Sequence, residues 1–418
     1  MEPTRARLEV ALAALQELLT FAAPADSTLK RFFRSHPELG QQERAFVAEL
    51  AFAVLRNLRL LEHLGAQRST RRLALASLTV AFGISVRELA PLLRREEETW
   101  LAQLRSQAQA ELVPAVRFSL PDWLWERLLE QYGATELEPL ARALLQQAPL
   151  DLRVNTLLAS REDVLVQLAK EGIGAESTAY SPVGIRLQGK PALQKHPLFL
   201  AGKVEVQDEG SQLLGYLVAP RRRQMVVDFC AGAGGKTLAL GAMMHSEGRL
   251  YAFDTSDRRL ANLKARLKRS GLSNIHPQHI DTEADARIQR LDGKIDRVLV
   301  DAPCSGFGTL RRNPDLKWRQ HAEGIAQMVR KQTAILQSAG RLVKPGGRLV
   351  YATCSLLREE NQQVAEQFLE RNPMFVLTPA HAVLKSQGIE LDTGPYFRVL
   401  PNTHAMDGFF AAVMERSG

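Results

Sequence analysis

The chain has 418 residues, 45% of them hydrophobic and 24% charged, with a formal charge of +8 and a pI near 9.5. That length exceeds one ordinary core and predicts two or three domains, while the composition excludes a disordered or fibrous chain. Its three cysteines, Cys230, Cys304 and Cys354, form no C-x-x-C pair, which argues against a disulfide framework or structural zinc and for a reducing, cytosolic setting.

The basic balance points to a polyanion, because Lys and Arg gathered on one face gain affinity by releasing counterions from phosphates. The opening residues lead into an amphipathic stretch, not a signal-peptide core, and no apolar run is long enough to span a bilayer. No membrane partner is expected, and the chain is expected to act as a monomer.

From Arg5 to about Ala134 the pattern is helical: Leu8, Leu12, Leu15 and Leu18/Leu19 recur at steps of three and four, as do Phe46, Leu50, Ala53, Val54 and Leu58. Residues 1–140 are therefore expected to form an all-helical bundle. Trp123 and Trp125, at a capped helix start, are expected to anchor a core more than to stack on bases.

Near Pro149 the pattern changes. Leu150–Asn155 and Gly184–Leu187 read as short strands and Arg161–Glu171 as a helix closed by Gly172, which predicts a small α+β unit over residues 141–220. Arg153 and Asn155 alternate with apolar neighbours and are expected on a solvated strand face, with nucleic-acid contact the other reading.

From Met225 onward strands and helices alternate. The strands predicted are Met225–Phe229, Arg249–Phe253, a weakly written one at Ile275–Ile280, Arg297–Val300 and Arg348–Ala352. The helices are Leu238–Met244, Arg258–Ser270, Ala322–Leu342 and Glu360–Arg371, and Phe409–Met414 is a further strand candidate. Such alternation predicts a parallel sheet covered on both faces, an α/β Rossmann-like domain over residues 221–418.

In that architecture ligands lie at the carboxyl ends of the strands. The first predicted strand ends in the loop Cys230-Ala231-Gly232-Ala233-Gly234-Gly235-Lys236-Thr237, which lets backbone approach a nucleotide-like ligand. Asp254 ends the second strand, where a carboxylate would hold a ribose diol. Asp281, Asp301 and Thr353-Cys354 follow the next three. Cys304 and Cys354 therefore fall on neighbouring strand-end loops, and a functional role for the pair is expected over two isolated structural thiols. Cys230 is expected to pack and to lend backbone contacts.

A thiol pair beside a nucleotide-like cofactor suits one demanding reaction. Carbon five of a pyrimidine is a poor nucleophile until a thiolate adds at carbon six and gives it enamine character. A second group then helps expel the first thiolate after methylation. Spacing alone does not say which cysteine attacks.

Two motifs carry a specific resemblance. Asp301-Ala302-Pro303-Cys304-Ser305-Gly306 with Arg311-Arg312-Asn313-Pro314-Asp315-Leu316-Lys317-Trp318, and Tyr351-Ala352-Thr353-Cys354-Ser355 with Glu359-Glu360-Asn361, closely resemble the Nol/Nop/Sun family of RNA 5-methylcytosine methyltransferases. The stretches Glu43–Val47 and Leu50–Arg56 resemble the NusB-like RNA-binding domain that precedes the catalytic domain in bacterial members acting on 16S ribosomal RNA.

The resemblance implies S-adenosylmethionine as cofactor and RNA as partner. It makes Cys354 the nucleophile and Cys304 the group assisting product release. It assigns the cofactor to Cys230, Ala231, Gly232, Ala233, Gly234, Gly235, Lys236, Asp254, Asp281 and Asp301, with Asp301 also meeting the target base. Arg311, Arg312 and Lys317 become candidates for the RNA backbone. One departure stands out: the family writes Ala-Pro where this chain has Gly232-Ala233, which predicts a less rigid loop.

Two other readings stay open on sequence. Gly235-Lys236-Thr237 with the acidic strand Arg297–Asp301 could belong to a phosphate-binding NTPase, although Cys230 holds the place of that motif's first glycine. The fold could also be a non-catalytic platform for ribosome assembly.

Overall fold

The computed structural model describes residues 2–66, 69–108 and 111–418, which divide into two compact units: Met1–Gln147 with Thr309–Ala322, and Ala148–Gly308 with Glu323–Gly418. Among the described residues no helix is long and apolar enough to cross a membrane.

The first unit is helical, as the periodicity predicts, with principal helices Arg5–Leu18, Ala25–Ser35, Gln41–Leu61, Thr70–Val80 and Asp122–Leu144. Leu8, Leu15, Phe46, Leu50, Val54 and Leu58 are all buried, so the predicted apolar stripes meet in one core. Trp125 is buried against the Phe118 ring at 5.7 Å, a core role, while Arg127 lies over half-buried Trp123.

The segment Thr309–Ala322 completes this unit and corrects an expectation. Lys317 is buried, and its Nζ donates to the Arg56 carbonyl over 2.7 Å. The Arg56 guanidinium in turn donates to the Arg311 carbonyl at 3.1 Å, and Trp318 Nε1 to the Leu55 carbonyl at 2.7 Å. Arg311 is buried as well, and Arg312 half-buried. Burial pushes the Lys317 amine well down and Arg56 down to about 10. Lys317 and Arg311 are therefore packing groups and not exposed phosphate contacts. Charge in a sequence does not tell a cation facing water from one facing backbone carbonyls.

The second unit carries two sheets. The smaller contains β1 (Leu150–Val154), β2 (Ala175–Ser177), β3 (Gly184–Leu187) and β4 (Val204–Val206) in the order β2-β3-β1-β4, all pairs antiparallel. Arg153 and Asn155 on and after β1 are each only 4% exposed, so the expectation of a solvated face fails. Asn155 Nδ2 donates to the carbonyls of Gly202 at 3.1 Å and Ser270 at 2.9 Å, and Arg153 reaches the glycine loop. The bonds to Ser270 and Gly235 fasten the small sheet to the elements of the larger one, and a buried polar face is stable only with such partners.

The larger sheet contains β5 (Met225–Asp228), β6 (Arg249–Asp254), β7 (Ile275–His279), β8 (Ile295–Asp301), β9 (Val343–Thr353), β10 (Phe375–Thr378), β11 (Phe397–Val399) and β12 (Phe409–Arg416). Its order is β10-β12-β9-β8-β5-β6-β7, with β11 also paired to β12. The five strands β5 to β9 are parallel, as alternation requires, but β12 lies antiparallel to β9; β10 and β11 each pair antiparallel with β12 and so run in the direction of the other five. The predicted parallel sheet is thus a mixed one: the helix Gln362–Arg371 carries the chain from β9 to β10, but the link from β11 to β12 is too short for a crossover and reverses the last strand. Chain order reverses beside β5, which places the ligand crevice at the carboxyl ends of β5 and β8.

Candidate active site

At those strand ends lies a cavity of about 490 Å³, lined among others by Gln207, Asp228, the loop from Cys230, Asp254, Asp301, Cys304, Cys354 and Phe409. Its size suits a nucleotide-like molecule.

The glycine loop leaves β5 and opens the helix Gly235–Met243. Gly232 has φ +56° and Gly234 φ +84°, both in the left-handed region. A Cβ on Gly234 would also stand 2.1 Å from Leu263 Cδ1, so close packing of the next helix demands glycine there. The departure Gly232 therefore suits its backbone. Rigidity comes from side chains outside the loop: the Gly232 N–H donates to Asp254 Oδ2 at 2.9 Å, Arg266 donates to the Ala233 carbonyl at 2.7 Å, and Arg153 to the Gly235 carbonyl at 2.5 Å.

Asp228, at the end of β5, accepts from Thr237 Oγ1 at 2.7 Å, yet its Oδ1 is buried without a partner. Burial first, and then the Asp301 charge, push its carboxyl up to about 7. Asp254 accepts the N–H groups of Gly232 at 2.9 Å and Ser256 at 2.8 Å, one on each oxygen. Each of its oxygens keeps a lone pair for a ligand hydroxyl. Lys236 Nζ donates to Asp301 Oδ2 at 2.7 Å and lies 5.5 Å from the Phe409 ring centre. Burial works to lower the Lys236 pKa, but the Asp301 carboxylate outweighs it and raises it.

The two later cysteines meet. Cys304 Sγ lies 3.4 Å from Cys354 Sγ, and all three cysteines are free thiols. The hydrogen bond to Cys354, followed by burial, pushes the Cys304 thiol well up, so it holds its proton. Burial likewise raises Cys230, an inert thiol in the cavity wall.

Most of the loop and strand-end residues singled out in the sequence line this cavity; Gly234, packed against Leu263, and Asp281 do not. The Asp281 side chain is 76% exposed and pairs with Arg287 at 3.0 Å, while Ile280 and Glu283 face the cavity. The turn after β7 points this carboxylate at a local arginine. Sequence reasoning missed Gln207, Arg266 and Phe409, which line the cavity from outside the strand-end loops. It also missed Glu360, which accepts from Ser305 and Ser355, the residues after each thiol. The repeated Cys-Ser dipeptide was a signal of that shared partner.

Residues 215–415 match the family described as 16S rRNA methyltransferase RsmB/F, and residues 120–194 match the ferredoxin-like domain of RsmF/B-like methyltransferases. A Synechocystis protein named "Probable ribosomal RNA small subunit methyltransferase B" is 31% identical, covering 98% of this chain and 99% of its own. The chain belongs to the RsmB/F methyltransferase family. Ribosomal RNA small subunit methyltransferase B of Citrobacter koseri is 32% identical over 90% of this chain and 91% of its own. The crystal structure of PH0851 shares the fold across 100% of both chains, with a TM-score of 0.80 at 25% identity.

This is an S-adenosylmethionine-dependent family, and the site fits that cofactor. The cavity offers the orphaned Asp228 oxygen, the remaining lone pairs of Asp254 and a glycine loop free of obstructing side chains.

Proposed function

We propose that the protein methylates carbon five of a cytosine in RNA, 16S ribosomal RNA by the reading of its family, through a covalent bond between Cys354 and carbon six. The observation that carries this is the thiol pair, 3.4 Å apart, on the wall of the cofactor cavity. An NTPase has no use for such a pair, and neither does a purely structural platform.

S-adenosylmethionine supplies an electrophilic methyl group when bound. Asp254 accepts hydrogen bonds from the ribose diol, and the loop Cys230–Lys236 lends its backbone. Asp281 stands at the rim and joins only by turning from Arg287. Asp301, held by Lys236, presents its other oxygen to the cytosine edge.

Cys354 Sγ forms a bond to carbon six, which turns carbon five into an enamine-like nucleophile. Once the methyl group has left the sulfonium for carbon five, carbon five gives its proton to water, the bond from Sγ to carbon six breaks with its electron pair returning to Cys354, and aromaticity is restored. Cys304 assists that release.

Attack on carbon six requires a base out of its stack, so the target is single-stranded or flipped. The helical unit, with its NusB-like stretches, and the small antiparallel sheet supply affinity for the RNA. The test is direct: Cys354→Ala abolishes formation of 5-methylcytosine in 16S rRNA, whereas Cys304→Ala accumulates a protein–RNA adduct that survives denaturation. Methylation by the Cys354→Ala protein would refute the assignment.

A further inference from the structure

Glu360 is fully buried, at 0% exposure, in the short helical turn before the helix Gln362–Arg371. Its carboxyl group touches none of the cavity-lining residues' reactive atoms, yet it joins both cysteine loops. Oε1 accepts from the Ser305 N–H at 2.8 Å and from Gln332 Nε2 at 3.0 Å. Oε2 accepts from Ser305 Oγ at 2.5 Å and from Ser355 Oγ. The two hydroxyls stand 3.0 Å apart, and Ser355 Oγ is itself fixed by the Leu357 N–H at 3.0 Å.

Ser305 and Ser355 are the residues immediately after Cys304 and Cys354. The loops lie on different strands, β8 and β9, and are 50 residues apart. Backbone pairing of the strands ends at Asp301 and Ala352, before either thiol. Past that point the Gly308 N–H donates to the Cys354 carbonyl at 2.8 Å, and the Glu360 side chain bridges the loops at the position next to each sulfur. Four donors converge on one buried acceptor group, and a buried hydrogen-bond network of this kind restricts the geometry of the loops it joins. Asn361 adds to the Cys354 side only: its Oδ1 accepts from Thr353 Oγ1 at 2.5 Å and its Nδ2 donates to the Ser355 carbonyl at 3.0 Å.

We propose that Glu360 is the positioning residue that sets the separation of the two active-site thiols, and that the release step depends on it. The catalytic part of this proposal rests on the thiol mechanism above, whereas the geometric part does not. Aspartate at this position withdraws the carboxyl group by one methylene, about 1.5 Å, and can hold only one loop. Glutamine keeps the length; its oxygen accepts from the two N–H donors and its amide donates to the two hydroxyls, which have lone pairs to spare.

Phenylarsine oxide reads the thiol separation without RNA or cofactor. One arsenical condenses with two adjacent thiols, forming two arsenic–sulfur bonds and releasing one water, and its affinity reports how well the pair is pre-set. The wild-type chain should bind one equivalent through Cys304 and Cys354, with affinity about tenfold weaker in Glu360→Asp and near wild type in Glu360→Gln. With 16S rRNA, Glu360→Asp should lengthen the life of the covalent adduct about tenfold while S-adenosylmethionine affinity stays within about twofold.

If Glu360→Asp does not fold, the Ser305→Ala/Ser355→Ala double variant carries the same expectations. Wild-type arsenical affinity in whichever variant folds overturns the geometric proposal. Weakened arsenical binding with an unchanged adduct lifetime overturns the catalytic one. Methylation by Cys354→Ala protein would instead remove the thiol mechanism and leave the clamp standing.

Discussion

Lys236 Nζ donates to Asp301 Oδ2 over 2.7 Å, so the cation that ends the glycine loop is committed to the strand-end carboxylate beside Cys304. The pair joins the half of the cavity built by β5 to the half built by β8. Each partner is held in place by the other, so their mutations should not add. Lys236→Met and Asp301→Asn should each reduce methylation strongly, and the double variant should be little worse than either. A coupling of roughly 0.5–3 kcal/mol in the double-mutant cycle is expected, measured from kcat/KM for S-adenosylmethionine. Simple additivity would show that the two act separately.

The loop departure makes a second expectation. Gly232 adopts φ +56° with open space where a Cβ would stand, so Gly232→Ala meets no clash and only backbone strain. A loss of about 1 kcal/mol in denaturant unfolding is expected. Restoring the family's alanine at this position alone should therefore weaken the protein, and a gain in stability would contradict the observed backbone.

Arg153 acts on the same loop from the small sheet, through the Gly235 carbonyl. Removing one hydrogen bond to a charged group costs roughly 1.5–3 kcal/mol. Arg153→Met should raise the dissociation constant for S-adenosylmethionine at least about tenfold, read by calorimetry, while the affinity of Cys304 and Cys354 for an arsenical is unchanged. A change in both would mean that the small sheet supports the whole site and not the loop.

Asp228 predicts a pH dependence. Its carboxyl has a pKa raised from 3.8 to about 7, chiefly by burial. Between those values the unfolded chain loses the proton while the folded chain keeps it. Folding stability from this group therefore falls as pH rises from about 4 to 7 and is flat above. Asp228→Asn removes the effect, so its stability relative to wild type should climb by up to roughly 4 kcal/mol across that range, checked by urea unfolding at several pH values. A constant difference would show that Asp228 ionises normally.

Lys317 gives the last expectation. Its amine is buried and bonded to the Arg56 carbonyl, so it releases no counterions from RNA phosphates. Lys317→Met should leave the slope of RNA affinity against salt unchanged, whereas loss of one phosphate contact would reduce it by about 1.

The order of elements and the convergence of the two later cysteine loops were legible in spacing along the chain. Periodicity marked the helical stretch to Ala134, alternation marked β5 to β9, and cysteines after β8 and β9 announced a paired site, because strand ends in such a sheet converge. These are local signals. The reversal of β12 against the other strands was not legible in its apolar run, since strand direction depends on connections and not on propensity.

Where the charges went was settled only by folding. Arg153 looked like a surface residue and is 4% exposed behind the glycine loop, Lys317 looked like a phosphate contact and lies in a helical core, and Asp281 looked like a cofactor ligand and faces Arg287. A charged side chain carries no mark of its partner in the sequence, because that partner comes from elements folded against it from far along the chain. The glutamate that spans both cysteine loops is the clearest case: Glu360 stood in a recognisable motif, but only folding brought Ser305 and Ser355 to the same carboxyl group.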